Sequence, residues 1–455
     1  MIQVPRSRFH VPGSRFQVPG STFRVPGSTF RVPGSTFRVP RSRFVFGVLA
    51  FVVLAFVGSL FNVLEGQSSG PDWPQFRGPN RDGTIASFGE PKTWPDRLTQ
   101  RWKVEVGEGH ATPVLVGGRI YTFTRQGTNE VMQSFDAATG KAVWQSRYAA
   151  PVTVNPAASA HGPGPKATPS FANGRLYTLG MGGVVTAFDA DSGKRLWQKP
   201  AGKVLPLYGT SASPLVDRGL VIVNVGGNNQ GALTAFDANT GDVKWSWAGD
   251  GPSYASPLAA DVDGVRQIIT LSQDNVIGVS AADGRLLWRR PFKTEFTQNI
   301  ITPLIVGNTV IVAGYQVPTA AFRLIKKGDQ WTTENAWQNE GVSLYMSNGV
   351  LVGDTLFGLS QRNRGQYFLL DVKSGKTIWT GMPRAAENAA IVRAGNLVFS
   401  LEDDAELVVG RVNASAFQEL KRYTVANSAT WAQPVISGNR IFVKDVSSLV
   451  LWTLN

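Results

Sequence analysis

The sequence predicts an all-β protein: an eight-bladed β-propeller of four-stranded blades, closed by pairing an N-terminal strand with a C-terminal half-blade, and preceded by one transmembrane helix. Three observations carry this prediction. A ten-residue phrase, aromatic-Asp-Ala-x-Thr/Ser-Gly-Lys-x-x-Trp, recurs as FDAATGKAVW (135–144), FDADSGKRLW (188–197) and, with one change, FDANTGDVKW (236–245), and weaker copies end at Trp288 and Trp379. A second phrase, small-Thr/Ser-Pro followed by an apolar run, Gly and a β-rich stretch, opens each unit, as in ATPVLVGGRIYTF from Ala111 and ATPSFANGRLYTL from Ala167. The Trp position recurs at Trp102, Trp144, Trp197, Trp245, Trp288, Trp337, Trp379 and Tyr423, 42–53 residues apart. That is the period of a four-stranded blade.

Taken in order, residues 1–43 are a basic Pro/Gly tail built on a seven-residue period (SRFHVPG, SRFQVPG, STFRVPG and further copies). Pro and Gly in each unit forbid a helix, and one Phe with one Val per unit cannot build a core, so the tail is predicted to be disordered. It holds eight Arg and no acid, leaving 37 basic against 32 acidic residues in the rest of the chain, whose net charge is +13 overall. The basicity is therefore a property of the tail and no argument for nucleic-acid binding by the propeller. The tail reads either as an arm for anionic lipid headgroups or as a translated tandem repeat upstream of the true start.

Residues 44–64, FVFGVLAFVVLAFVGSLFNVL, are uncharged, and fifteen of them are Phe, Leu or Val. Their summed insertion energy is about 4–9 kcal/mol, and the run is long enough to span a bilayer. No good Ala-x-Ala cleavage site follows through Ser69, so an uncleaved anchor is expected, with the Arg-rich flank cytoplasmic and the propeller periplasmic. A cleaved, secreted form is the alternative. The chain has no Cys, which excludes an acylated-Cys anchor and disulfides. Residues 65–97 form a linker and an extended strap, rich in aromatic residues, Pro and Gly from Trp73 onward, and residues 98–455 form the propeller.

Within a blade, the Asp can accept hydrogen bonds from turn amides and the Gly supplies positive φ. Each Trp buries a large ring worth about 2–3 kcal/mol. The first outer strand, at 101–106, has no opener before it, and the last opener, at Pro434, has no outer strand after it. Pairing these two ends completes the eighth blade and removes a free sheet edge.

These repeats resemble the PQQ-like (pyrroloquinoline-quinone-type) β-propeller family, whose blades carry this tryptophan-docking phrase. WPQFRGPNRDG (73–83) and HGPGPKATPS (from His161) resemble segments that many envelope members carry. The resemblance covers about five-sixths of the chain and is specific for fold. The family it points to spans quinoprotein dehydrogenases and BamB-type scaffold lipoproteins of outer-membrane assembly, so fold alone does not give function.

The quinoprotein branch implies a cofactor at the propeller axis, with calcium held by Glu, Asn or Asp oxygens and a carboxylate base. By repeat alignment, the residues three before each opener Pro should ring the axial funnel: His110, Lys166, Ser211, Tyr254, Ile300, Met346, Glu387 and Trp431. This ring offers one carboxylate and no acid cluster for a hard cation. The expectation is therefore no catalytic residue, no metal and no cofactor, with PQQ plus calcium as the alternative. With three His in the chain, a multi-His metal site is not available. The glycine clusters at 180–183 and 225–231 read as hairpin turns, since no helix follows to make a phosphate loop. Glu402, Asp403, Asp404 and Glu406 form the one acidic cluster, read as a solvated hairpin or as a calcium or basic-partner site. The excursions at 147–165 and 319–339 are candidate partner loops. The sequence thus predicts a membrane-anchored, non-catalytic binding or scaffold module that meets envelope proteins through its rims. The alternative is a quinoprotein alcohol-dehydrogenase-like oxidoreductase.

Overall fold

The computed structural model describes residues 70–86 and 88–454; the predicted tail at 1–43 and anchor at 44–64 lie outside the described residues. Among the described residues no helix is long and apolar enough to cross a membrane. The described residues form eight sheets. Blade 1 comprises Val114–Val116, Arg119–Gln126, Asn129–Asp136 and Ala142–Ala149, and blades 2 to 6 repeat the same antiparallel meander. First strands of neighbouring blades touch from blade 1 to blade 4 and between blades 6 and 7, so first strands line the axis and the Trp-bearing fourth strands lie outermost.

Closure follows the predicted route. Thr99–Glu105 pairs antiparallel with Ser448–Thr453, adding the outer strand to Val435–Ser437, Arg440–Lys444 and Ser448–Thr453. Lys444, 1 % exposed, bridges this joint by donating from Nζ to the carbonyls of Gly109 (2.6 Å), Asp445 (2.9 Å) and Val446 (3.2 Å).

The recurring phrase is an inter-blade socket. The Trp102 indole N–H donates to Ala137 O of the next blade, and Trp144, Trp197, Trp245 and Trp337 donate likewise to Ala190, Ala238, Ala281 and Val372. Each ring lies on the turn glycine of that next blade (Gly140, Gly193, Gly241, Gly284 and Gly375), where a Cβ would come within 2.4–2.8 Å of the indole. The glycine is thus required twice, for its φ of 69–74° and for its missing side chain. The Asp does what its position predicts: Asp136 Oδ1 accepts from Thr139 N (2.9 Å) and Oγ1 (2.7 Å), and Asp371 accepts from Ser374 in the same way. Trp379 docks on Asn413 O of blade 7. Trp288 departs from the pattern and bonds Gln267 Oε1 of its own blade. The reason is local: blade 5 replaces the docking turn with the long hairpin Val317–Lys327 and Gln330–Asn339.

The opener phrase builds a second device, a hydrogen-bonded belt around the axis. Gln433 N donates to Thr112 Oγ1, Thr112 N to Thr168 Oγ1, Thr168 N to Ser213 Oγ, Ser213 N to Ser256 Oγ, Ser256 N to Thr302 Oγ1, and Thr302 N to Asn348 Oδ1, all at 2.9–3.2 Å. The residue before each opener Pro must therefore carry an acceptor oxygen. Blade 7 has Ala389 there, and its N–H turns back to Ser347 Oγ. The strap takes over at this gap. Thr84–Ile85 joins blade 7 as a fifth, parallel strand against Arg393 and Ala394, and Arg77 N donates to Gln433 Oε1. From there the strap reaches across the axis, touching blade 1 through the Trp73–Leu115 bridge, blade 2 through Pro74 O, and blade 3 through Arg81.

Candidate functional site: the axial funnel

Inter-blade loops of one side converge on a cavity of about 280 Å³ at the axis. Seven of the eight predicted ring residues line it: His110, Lys166, Ser211, Tyr254, Ile300, Met346 and Trp431. Glu387 does not; it is exposed on the loop entering blade 7, where Ala389 and Ala390 replace the Thr/Ser-Pro of the opener and the belt bond gives way to one from Ala389 N to Ser347 Oγ. The funnel wall thus loses the one carboxylate the alignment assigned to it.

Sequence reasoning missed Tyr208, Tyr345, His161 and Gln298, which also line the wall. Adjacency could have found two of them, since Tyr345 precedes Met346 and Tyr208 stands three residues before Ser211. His161 arrives through the loop after blade 1. Asn155 Oδ1 accepts from Ala157 N (2.9 Å) and starts a short 3-10 turn, Pro156–His161, with Pro156 at its first position. The chain then returns tightly: His110 N donates to Pro165 O (2.8 Å), and a Cβ on Gly164 would lie 2.5 Å from Gly109 Cα. That close approach explains the second glycine of HGPGPK, and a φ of 61° at Gly162 explains the first.

The wall is aromatic with one primary amine. His161 and Trp431 meet edge to face with centroids 4.6 Å apart, and His110 sits 6.0 Å from His161. His110 Nε2 lies 3.0 Å from His161 O, so it donates and carries the proton in the neutral ring. Burial, with Lys444 and His161 nearby, pushes the His110 pKa down to about 4, and burial lowers that of His161. Lys166 donates from Nζ to Tyr208 O at 3.3 Å, and burial brings its pKa down to about 8. Burial pushes the phenols of Tyr254 and Tyr345 up to about 12. At neutral pH the funnel therefore presents neutral imidazoles, protonated phenols and one ammonium.

This donor set does not fit a PQQ–calcium site. Calcium takes six to eight oxygen ligands, several of them carboxylate, whereas no Asp, Glu or Asn lines the cavity and Gln298 supplies its one side-chain amide. Among the described residues, no group of three or more His, Asp or Glu is placed to hold a metal. The acidic cluster of blade 7 is also committed elsewhere. Glu402, 1 % exposed, accepts from Tyr367 Oη (2.8 Å) and pairs with Arg422 (2.7 Å), while Asp403 Oδ1 caps Asn388 N. A similar buried arrangement, not foreseen, holds Glu130 against Tyr148 Oη (2.7 Å), Met181 N (2.6 Å) and Arg125.

Tryptophan sockets, strand closure and an axial funnel together define a PQQ-like β-propeller. The family model described as "Outer membrane protein assembly factor BamB" matches residues 127–381, more than half of the chain, and the chain belongs to this family. The outer membrane protein assembly factor BamB of Yersinia pestis is 24 % identical over 371 residues, covering 77 % of this chain and 88 % of that protein. The dehydrogenase subunit of the quinone alcohol dehydrogenase of Acetobacter aceti is 34 % identical over 144 residues, 30 % of this chain but 19 % of the enzyme. Among solved structures, BamB from Moraxella catarrhalis superposes with a TM-score of 0.59 at 16 % identity, covering 78 % of this chain and 99 % of that chain. A quinohemoprotein alcohol dehydrogenase from Pseudomonas putida HK5 gives 0.57 at 13 % identity, with 84 % and 80 % covered. At such identities the structural likeness speaks for the fold alone.

Proposed function

We propose that this protein is a non-catalytic scaffold of the cell envelope, held to the inner membrane by residues 44–64, with its propeller in the periplasm and partner proteins engaging its rim. The observation that carries this reading is the funnel wall, which has aromatic and cationic groups but no carboxylate to ligate calcium or act as a base. The extent of the relationship supports it: the assembly-factor match runs over most of both chains, whereas the dehydrogenase match covers a fifth of the enzyme.

The rim at the funnel mouth is the surface assigned to partners. Leu207 (45 % exposed), Phe296 (66 %) and Met382 (81 %) stand on three loops that join successive blades, as the funnel-lining loops do. Phe296 also holds a φ of 55°, an uncommon conformation for an aromatic residue. Apolar residues so placed are typical contact anchors. Photo-crosslinking from positions 207 and 296 in cells should capture discrete envelope proteins, and Phe296→Ser should abolish capture from 207 without changing the melting temperature. Crosslinks only from the opposite rim would contradict the assignment.

A further inference from the structure

The strap carries two buried arginines that the scaffold reading does not use. Arg77 is 1 % exposed and Arg81 6 %. Arg77 donates from Nε to Arg81 O (3.3 Å) and from Nη2 to the carbonyls of Asp82 and Gly349 (2.7 Å each). Arg81 donates from Nη1 to Pro214 O (2.9 Å) and Gln75 Oε1 (3.1 Å), and from Nη2 to Ser213 O (3.2 Å). The two guanidiniums thus tie blade 6 and blade 3 to one strap segment, through neutral acceptors alone.

Two cations here face one nearby acid, Asp82, and form no ion pair with it. None of the ion pairs among the described residues includes either arginine. Asp82, the acid that acts on Arg77 electrostatically, is engaged by Thr84 N and Oγ1 at 2.8 Å each. Outside the described residues the chain has one acidic side chain, Glu65. Burial lowers both guanidinium pKa values, to about 10 for Arg77 and about 9 for Arg81, where the charge of Arg77 adds to the effect, so both remain protonated at neutral pH. Two N–H groups, Arg77 Nη1 and Arg81 Nε, are fully buried with no hydrogen-bond partner among the described residues. Unpaired buried charge and orphaned buried donors are each strongly unfavourable, and here they coincide on adjacent cations.

We infer that the strap arginines bind a small monatomic anion, chloride in size and charge, at the waist of the propeller through Arg77 Nη1 and Arg81 Nε. Size selects the ligand: both orphaned groups are enclosed, and neither arginine lines the cavity of about 90 Å³ walled by Phe76 and Gln433, so the ligand is no larger than a single ion. The bound anion neutralises the pair where the strap crosses the axis and so strengthens its hold on opposed blades.

The test is thermal unfolding of the full-length chain in potassium chloride against potassium gluconate at equal ionic strength. Above the dissociation constant, each tenfold rise in chloride should raise the melting temperature by about 2 °C, with no such rise in gluconate. Arg81→Gln should erase the difference between the two salts, and crystals soaked in bromide should show an anomalous peak at the two orphaned N–H groups. Equal melting curves for the native protein in both salts, or a chloride effect that survives in Arg81→Gln, would overturn the site. Because the native protein in two salts and the bromide peak are read without any variant, a misfolded variant does not rescue the idea.

Discussion

His110 shows how one side chain reports on the funnel. Its imidazole is held neutral by burial, with Lys444, His161 and Lys166 all adding positive potential. Its folded pKa of about 4 lies below the ordinary value near 6.5, so between those values the unfolded chain binds more protons than the folded one and acid lowers stability. The penalty begins as pH falls through 6.5 and is complete below about 4. Relative to His110→Gln, the native protein should lose at most about 3 kcal/mol across that window, measured as the difference in denaturant midpoints. The comparison with the variant removes the carboxylates that titrate in the same range. A constant difference from pH 7 to 4 would mean that the ring is solvated. The position of His110 was legible because the opener phrase numbers every blade alike. Its low pKa was not, because the burial that chiefly imposes it, and the charges of Lys444 and Lys166 and the ring of His161 that add to it, depend on segments far away in the chain.

At the scale of the element, each recurring phrase does a job for its neighbour. The Trp of one blade needs the glycine of the next, and the Ser or Thr before each Pro accepts from the preceding blade's backbone. Ser213→Ala should therefore orphan Thr168 N–H, a buried donor, at about 1–3 kcal/mol. Hydrogen exchange should quicken first at Thr168, in blade 2, and not at the substituted residue; exchange unchanged at Thr168 would show that the belt bond is dispensable. Repetition made these phrases visible in the sequence, but a single chain read in order suggests that each phrase stabilises its own blade. The exceptions were harder to read for the same reason. Blade 7 replaces Pro with Ala390, Trp with Tyr423 and the belt acceptor with Ala389, so alignment put Glu387 in the funnel when it lies exposed outside it. The strap compensates at that blade, pairing with its inner strand and accepting Tyr423 Oη at Pro95 O.

For the whole molecule, eight blades and strand closure follow from counting openers and outer strands, and they position one funnel whose wall is drawn from most of the blades. What the counting cannot supply is the partner, since rim residues such as Phe296 and Met382 belong to loops outside the repeat. The central claim is that the axial funnel of this propeller lacks the groups that a PQQ–calcium site needs. Calorimetric titration of the full-length protein with PQQ in the presence of calcium, alongside a dye-linked alcohol oxidation assay, tests it most directly. The account predicts no calcium-dependent binding and no turnover, because the funnel wall lacks carboxylates. Stoichiometric, calcium-dependent binding accompanied by alcohol oxidation would contradict it and make the funnel an active site.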